Sequence, residues 1–116
     1  MTVRIEDIRA TLRARDSAAA ARAKGRAERL RARLPAAKAR LVEAGALDVW
    51  LFGSLAVGPV SESSDVDLAV SGLAADSYFR VLGDLMALFG GPVDLVRIEE
   101  AGESLCERIR LEGRRL

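Results

Sequence analysis

The chain changes its composition abruptly at Gly45, and that break restricts the fold more than any other feature of the sequence. Before it, Ala, Arg, Leu and Glu dominate and β-branched residues are scarce, a mixture that favours helix. After it, short β-branched and aromatic runs alternate with glycine, proline and polar clusters, which is the pattern of strands between turns. Neither an all-helical nor an all-β architecture accommodates both halves. With 116 residues there is material for about one compact unit, so helices and sheet must share a single small core.

Within the first part, Ala23, Ala27, Leu30 and Leu34 recur at helical spacing, with Asp16 or Ser17 as the expected cap of that helix. Pro35 suits the first turn of a second helix, whose apolar face (Ala37, Leu41, Ala44) runs to a stop at Gly45. The expected arrangement is a basic arm of several helical pieces over residues 1–34, followed by a domain over 35–116. Because an alanine-rich face buries little area, such an arm needs a surface to lie against.

Charge divides the chain in the same way. Residues 1–46 carry 12 Lys/Arg against 5 Asp/Glu, net +7, whereas residues 47–116 carry 6 against 12, net −6. The arm's acidic residues and its lack of interleaved aromatics argue against direct nucleic-acid binding and favour contact with a partner or a second subunit. Those acidic residues also argue against a transit peptide, and no apolar run is long enough for a signal sequence or membrane span. The expected setting is cytoplasmic, with no membrane contact.

In the second part, residues 47–52 read as a strand ending at Gly53, and Val66, Leu68 and Val70 alternate with Asp65, Asp67 and Ala69 in another, one face apolar and one polar. Residues 74–89 read as a helix with Tyr78, Leu82, Leu85, Met86 and Phe89 inward, closed by Gly90-Gly91-Pro92. A third strand follows over 93–98. A last helix over about 99–112 turns Leu105 and Ile109 to the core and leaves a short basic tail. Trp50, Tyr78 and Phe79 are expected in the core. The fold class is α/β: a small mixed sheet with flanking helices, preceded by the arm.

The chemistry available to this chain is narrow. It has no histidine and one cysteine, which removes imidazole catalysis, histidine-ligated zinc, disulfide frameworks and cysteine-ligated zinc clusters. Carboxylates and hydroxyls remain. Asp65 and Asp67, two apart on one strand, leave the same face, and Asp94 in Val93-Asp94-Leu95-Val96 joins them if its strand lies alongside. Carboxylates so gathered either rise in pKa or hold a hard cation such as Mg²⁺. Gly53-Ser54, between a strand and one helical turn, offers a phosphate seat, because glycine permits close approach and serine supplies a hydroxyl.

Gly53-Ser54, ten residues, then Asp65-Val66-Asp67, within LFGSLAVGPVSESSDVDLAV, closely resembles the signature of minimal nucleotidyltransferases of the DNA polymerase β-like superfamily. VDLV around Asp94 and the ending ERIRLEG extend the resemblance over roughly residues 35–113. It implies a polymerase β-like fold in which Gly53 and Ser54 hold the triphosphate of ATP and Asp65 and Asp67 bridge two Mg²⁺ ions. Asp94 completes one metal site and helps activate the incoming hydroxyl. Many members of this minimal type are antitoxins that silence HEPN-type ribonuclease toxins by transferring AMP to a toxin tyrosine, which implies a hetero-oligomer with such a toxin. Relatives commonly carry arginines soon after Gly-Ser, where this chain has Leu55 and Val57. Compensation of the triphosphate charge is then expected from the arm or a partner. The rival readings are an antitoxin that acts by binding alone and a transferase for a small molecule of the aminoglycoside kind.

Overall fold

A computed structural model of the chain describes residues 4–116. Helix α1 (Ile5–Ala32) is unbroken over 28 residues, about 42 Å at 1.5 Å per residue. Asp16 and Ser17 therefore lie inside a helix and cap nothing, contrary to expectation; the surrounding Ala and Arg are strong helix formers and no proline interrupts them. Glu6 and Asp7 in the first turn and Arg29 and Arg31 in the last complement the helix dipole. Only its C-terminal part is anchored, through buried Ala23, Ala27 and Leu30, and the longest dimension of the molecule reaches 65 Å.

Helix α2 (Leu34–Glu43) starts with Pro35 in its first turn, as the sequence predicts. The sheet comprises β1 (Asp48–Phe52), β2 (Val66–Ser71), β3 (Val93–Arg97) and β4 (Arg114–Arg115). Its order is β3-β2-β1-β4, with β2 and β3 parallel and the other pairs antiparallel, hence a mixed sheet. The expected basic tail is the fourth strand: Arg114 and Arg115 pair with Leu51 and Trp50, and Leu116 N–H donates to Val49 O at 2.9 Å. A single turn, α3 (Ser54–Val57), follows β1, α4 (Tyr78–Phe89) connects β2 to β3, and α5 (Glu103–Glu112) precedes β4.

One face of the sheet packs against α1, α2 and α4 through Leu30, Leu41, Val49, Leu51, Leu68, Val70, Val81 and Leu85. On α4 the inward residues are Val81, Leu85 and Phe89, while Met86 is 42% exposed; it follows Leu85 by one 100° step and so leaves the apolar stripe. Phe79, expected in the core, is 80% exposed and stacks edge-on against half-buried Tyr78. Leu47 stands outside β1 and is also exposed. The second face is not uniformly polar. Helix α5 covers part of it, burying Phe52, Ala69 and Ile109 with Trp50, Val96 and Leu105 beside them.

Candidate active site

The carboxylates lie at the end of the α5 side of the sheet that the helix leaves open. Strand pairing puts Phe52, Asp67 and Asp94 in one row, because Phe52 faces Asp67 across β1–β2 and Asp67 faces Asp94 across β2–β3. Partners directly opposite on one face are neighbours. The next row on that face, Trp50, Ala69 and Val96, is apolar and packs with α5. Side-chain alternation thus carries each strand from packing to carboxylate within two residues. Asp65 immediately precedes β2 and is exposed.

Gly53 closes this corner. Its backbone (φ +72°, ψ −159°) is one that only glycine adopts freely, and any Cβ there would overlap the Asp67 carboxylate. Its carbonyl accepts from the N–H groups of Ala56 (3.0 Å) and Val57 (3.2 Å), which ties the single turn α3 to the strand end. The Ser54 hydroxyl donates to Ser64 Oγ at 3.0 Å, and Ser61 N–H donates to the same oxygen at 2.8 Å. Ser64 is therefore a buried local cap that joins the two ends of the intervening loop.

Burial raises the Asp67 carboxyl above its ordinary value, with further upward pressure from Asp94 and Asp65 and an opposing pull from Arg108. Arg108 reaches across from α5, its guanidinium carbon 5.8 Å from the centre of the Phe52 ring. The sequence suggested only a solvated helix face here, since nothing in it shows that α5 crosses the carboxylate side of the sheet. The Tyr78 phenol is likewise raised, first by burial and then by Asp94 and Glu100, while its hydroxyl donates to Leu95 O at 2.5 Å. A cleft of about 570 Å³ runs along β3 from Leu95, the residue after Asp94, to Arg97, with Tyr78, Phe79, Glu100 and Leu105 also in its walls.

Two arginines of α1 also border the site. Arg26 contacts Ser64 and Asp65, and Arg31 donates to Leu55 O at 3.0 and 3.2 Å. Composition identified the arm as basic without indicating that it would be laid along the Gly53–Asp65 loop. Among the described residues no three carboxylate or other metal-ligating side chains are already drawn together closely enough to hold an ion. The three aspartates surround one corner, with Asp65 turned toward Arg26.

Comparison with known proteins places this geometry in a family. Residues 43–116 match the family model described as polymerase beta, nucleotidyltransferase. The protein adenylyltransferase MntA of Shewanella oneidensis is 33% identical, the match covering 59% of this chain and 51% of that protein; this chain thus spans about half the length of that curated relative. A solved structure provisionally described as a minimal nucleotidyltransferase is 33% identical, with 78% of this chain and 95% of that one covered and a TM-score of 0.69. A solved toxin-antitoxin with AMP-PNP is similar over 67% of each chain, at 25% identity and a TM-score of 0.61. With its mixed sheet, its flanking helices and well over half of its length matched, this chain belongs to the polymerase beta nucleotidyltransferase family.

Proposed function

We propose that this chain transfers AMP from ATP to a hydroxyl, that of a tyrosine, on a HEPN-type ribonuclease toxin, and so acts as its antitoxin in the cytoplasm. The observation that carries the reading is the row Phe52, Asp67, Asp94, with Gly53 leaving Asp67 room at the strand end. The relative named as an adenylyltransferase and the similar toxin-antitoxin with AMP-PNP supply the direction of the chemistry and the kind of partner.

The residues present suit a hard divalent cation. All candidate ligands are carboxylate oxygens, and Asp67 is raised in pKa first by burial and then by Asp94 and Asp65, a penalty on its charged form that a cation relieves. Asp65, Asp67 and Asp94 would hold Mg²⁺, two ions in all. When bound, the metal neutralises triphosphate charge and favours in-line displacement at phosphorus, chemistry that needs no histidine. Gly53 lets the polyphosphate approach the backbone, and the Ser54 hydroxyl gives its proton to a phosphate oxygen while Ser64 donates to Ser54 Oγ in return, which keeps the two serines in contact. Asp94, exposed on the outermost strand, takes up the proton of the acceptor hydroxyl. The oxygen of that hydroxyl bonds to the α-phosphorus and pyrophosphate leaves. The cleft along β3, which begins one residue beyond Asp94 and has Tyr78 and Phe79 in its walls, is the approach we propose for an acceptor ring.

The test mixes this protein with a tenfold excess of its cognate toxin, ATP and Mg²⁺. The expected result is inactivation of all the toxin and a mass increase of one or more AMP units on it. Stoichiometric protection without nucleotide, equal for wild type and Asp67→Asn, would mean that binding alone neutralises the toxin and would overturn the catalytic reading.

A further inference from the structure

The Asp65 end of the Gly53–Asp65 segment is held by a side chain from outside the family-matched region, and the Ser54 end is tied to it through Ser64. Arg26 lies on α1, ahead of residues 43–116, yet its Nε–H donates to Ser64 O at 2.9 Å and its Nη2 stands 3.4 Å from Asp65 Oδ1. Ser64 in turn holds Ser54 through its hydroxyl. The guanidinium is therefore one bond from Asp65 and two from Ser54. Neighbouring arm residues reinforce the attachment: Arg22 pairs with Glu62, and Arg31 donates to Leu55 O.

The two contacts of Arg26 are unequal. The bond to Ser64 O has ordinary length, while 3.4 Å to Asp65 is long for a charged hydrogen bond and the carboxylate is 47% exposed. Arg26 therefore fixes where the backbone places Asp65 without occupying that carboxylate tightly. A planar fork with donors in two directions suits this task; a lysine ammonium on its flexible stem does not reproduce it.

Building on the nucleotidyltransferase reading, we infer that Arg26 is a positioning residue that sets Asp65 and Ser54 for metal and nucleotide, so that the arm is a working part of the transfer site. It touches neither substrate nor reacting atoms.

The test uses the full chain and the variants Arg26→Ala, Arg26→Lys and, as control, Arg13→Ala, which alters the arm's charge on the exposed part of α1 ahead of its buried residues. Two readouts are taken: kcat and KM for AMP transfer to the toxin, and the affinity of the protein for Mn²⁺ alone, by electron paramagnetic resonance. Loss of an orienting contact behind a metal ligand typically costs about tenfold or more in affinity or turnover. The expected order is therefore wild type and Arg13→Ala together, then Arg26→Lys, then Arg26→Ala, in both kcat and Mn²⁺ affinity, with KM for ATP changed less than kcat. Arg26→Lys retains charge and helix propensity and decides the matter should Arg26→Ala not fold. Equal values across all folded variants, or tighter Mn²⁺ binding on losing Arg26, would overturn the inference, the latter because Arg26 would then be a competitor for Asp65. If wild type transfers no AMP, the proposed function fails, and the Mn²⁺ series still tests Arg26.

Discussion

Replacing Gly53 by alanine tests the site through stability as well as activity, because two separate costs meet at that position. The first is conformational. At φ +72° and ψ −159° an L-residue is strained by about 1–3 kcal/mol. The second is steric, since the new methyl group overlaps the Asp67 carboxylate and lies 3.0 Å from its Cγ. Forcing a group into an occupied site costs about 1–3 kcal/mol. Together they predict a loss of about 3 kcal/mol in urea unfolding, at unchanged denaturant slope, with transfer falling as Asp67 is displaced.

A double-mutant cycle separates the two costs. In an Asp67→Ala background the nearest remaining atom of residue 67 is its Cβ, 3.3 Å from the added methyl group, so most of the overlap is gone. Gly53→Ala should then cost only the conformational part, leaving a coupling energy of about 1 kcal/mol or more between the positions. Independent sites add to within about 0.3–0.5 kcal/mol. Additivity at that level would show that Gly53 is required for backbone reasons alone and that its closeness to Asp67 has no energetic meaning.

Three further outcomes follow from the same geometry. Asp67→Asn should raise stability at neutral pH by about 0.5 kcal/mol, held small by solvent screening; because the folded carboxyl titrates above its ordinary 3.8, wild-type stability is fully present below 3.8 and declines as pH rises through the folded value, so the advantage of Asn should vanish in acid. Melting curves from pH 3 to 7 check this, and an advantage that grows toward low pH would contradict it. Asp94→Asn should lose most transfer while the protein still binds ATP with Mg²⁺ through Asp65 and Asp67, which equilibrium dialysis with labelled ATP can decide. Deleting residues 1–21 removes no buried residue of α1 and should leave the melting temperature nearly unchanged, whereas deleting 1–34 takes Ala27, Leu30 and Leu34 from the core and should cost about 3 kcal/mol or more.

Asp67 and Asp94 were legible in the sequence because strand periodicity is local: Val66 and Leu68 turn Asp67, and Val93 and Leu95 turn Asp94, away from the core, whereas Asp65, expected on the same strand as Asp67, falls one residue short of β2 and turns toward Arg26. What periodicity does not contain is the partner of each strand. The row of Phe52, Asp67 and Asp94 exists only through cross-strand register. The same limit hid β4, whose Arg114-Arg115 reads as a charged tail and becomes a strand because β1 has a free edge there. Arg108 was hidden by the docking of α5, and Phe79 was misplaced because an aromatic residue signals burial only when it falls on the packed stripe. Met86 failed for a similar reason, one residue beyond Leu85 on a narrow apolar face.

The arm shows how a weak sequence signal carries geometric information. Ala23 and Ala27 are 5% and 1% exposed, so the positions that contribute least apolar area on α1 are among its most enclosed. Small side chains at a contact bring a helix axis closer to what it packs on. Arg22 and Arg26 flank those alanines, and their reach is finite: a guanidinium 2.9 Å from Ser64 O with the helix seated on alanines would fall short if Leu at 23 and 27 held the axis further out. The alanine-rich face that argued for a poorly packed arm is thus the condition for its arginines to touch the loop between Gly53 and Asp65. Coupling of arm to site depends on the smallness of residues that themselves make no polar contact, and Ala27→Leu should disturb the Arg26–Ser64 bond even though it adds apolar surface.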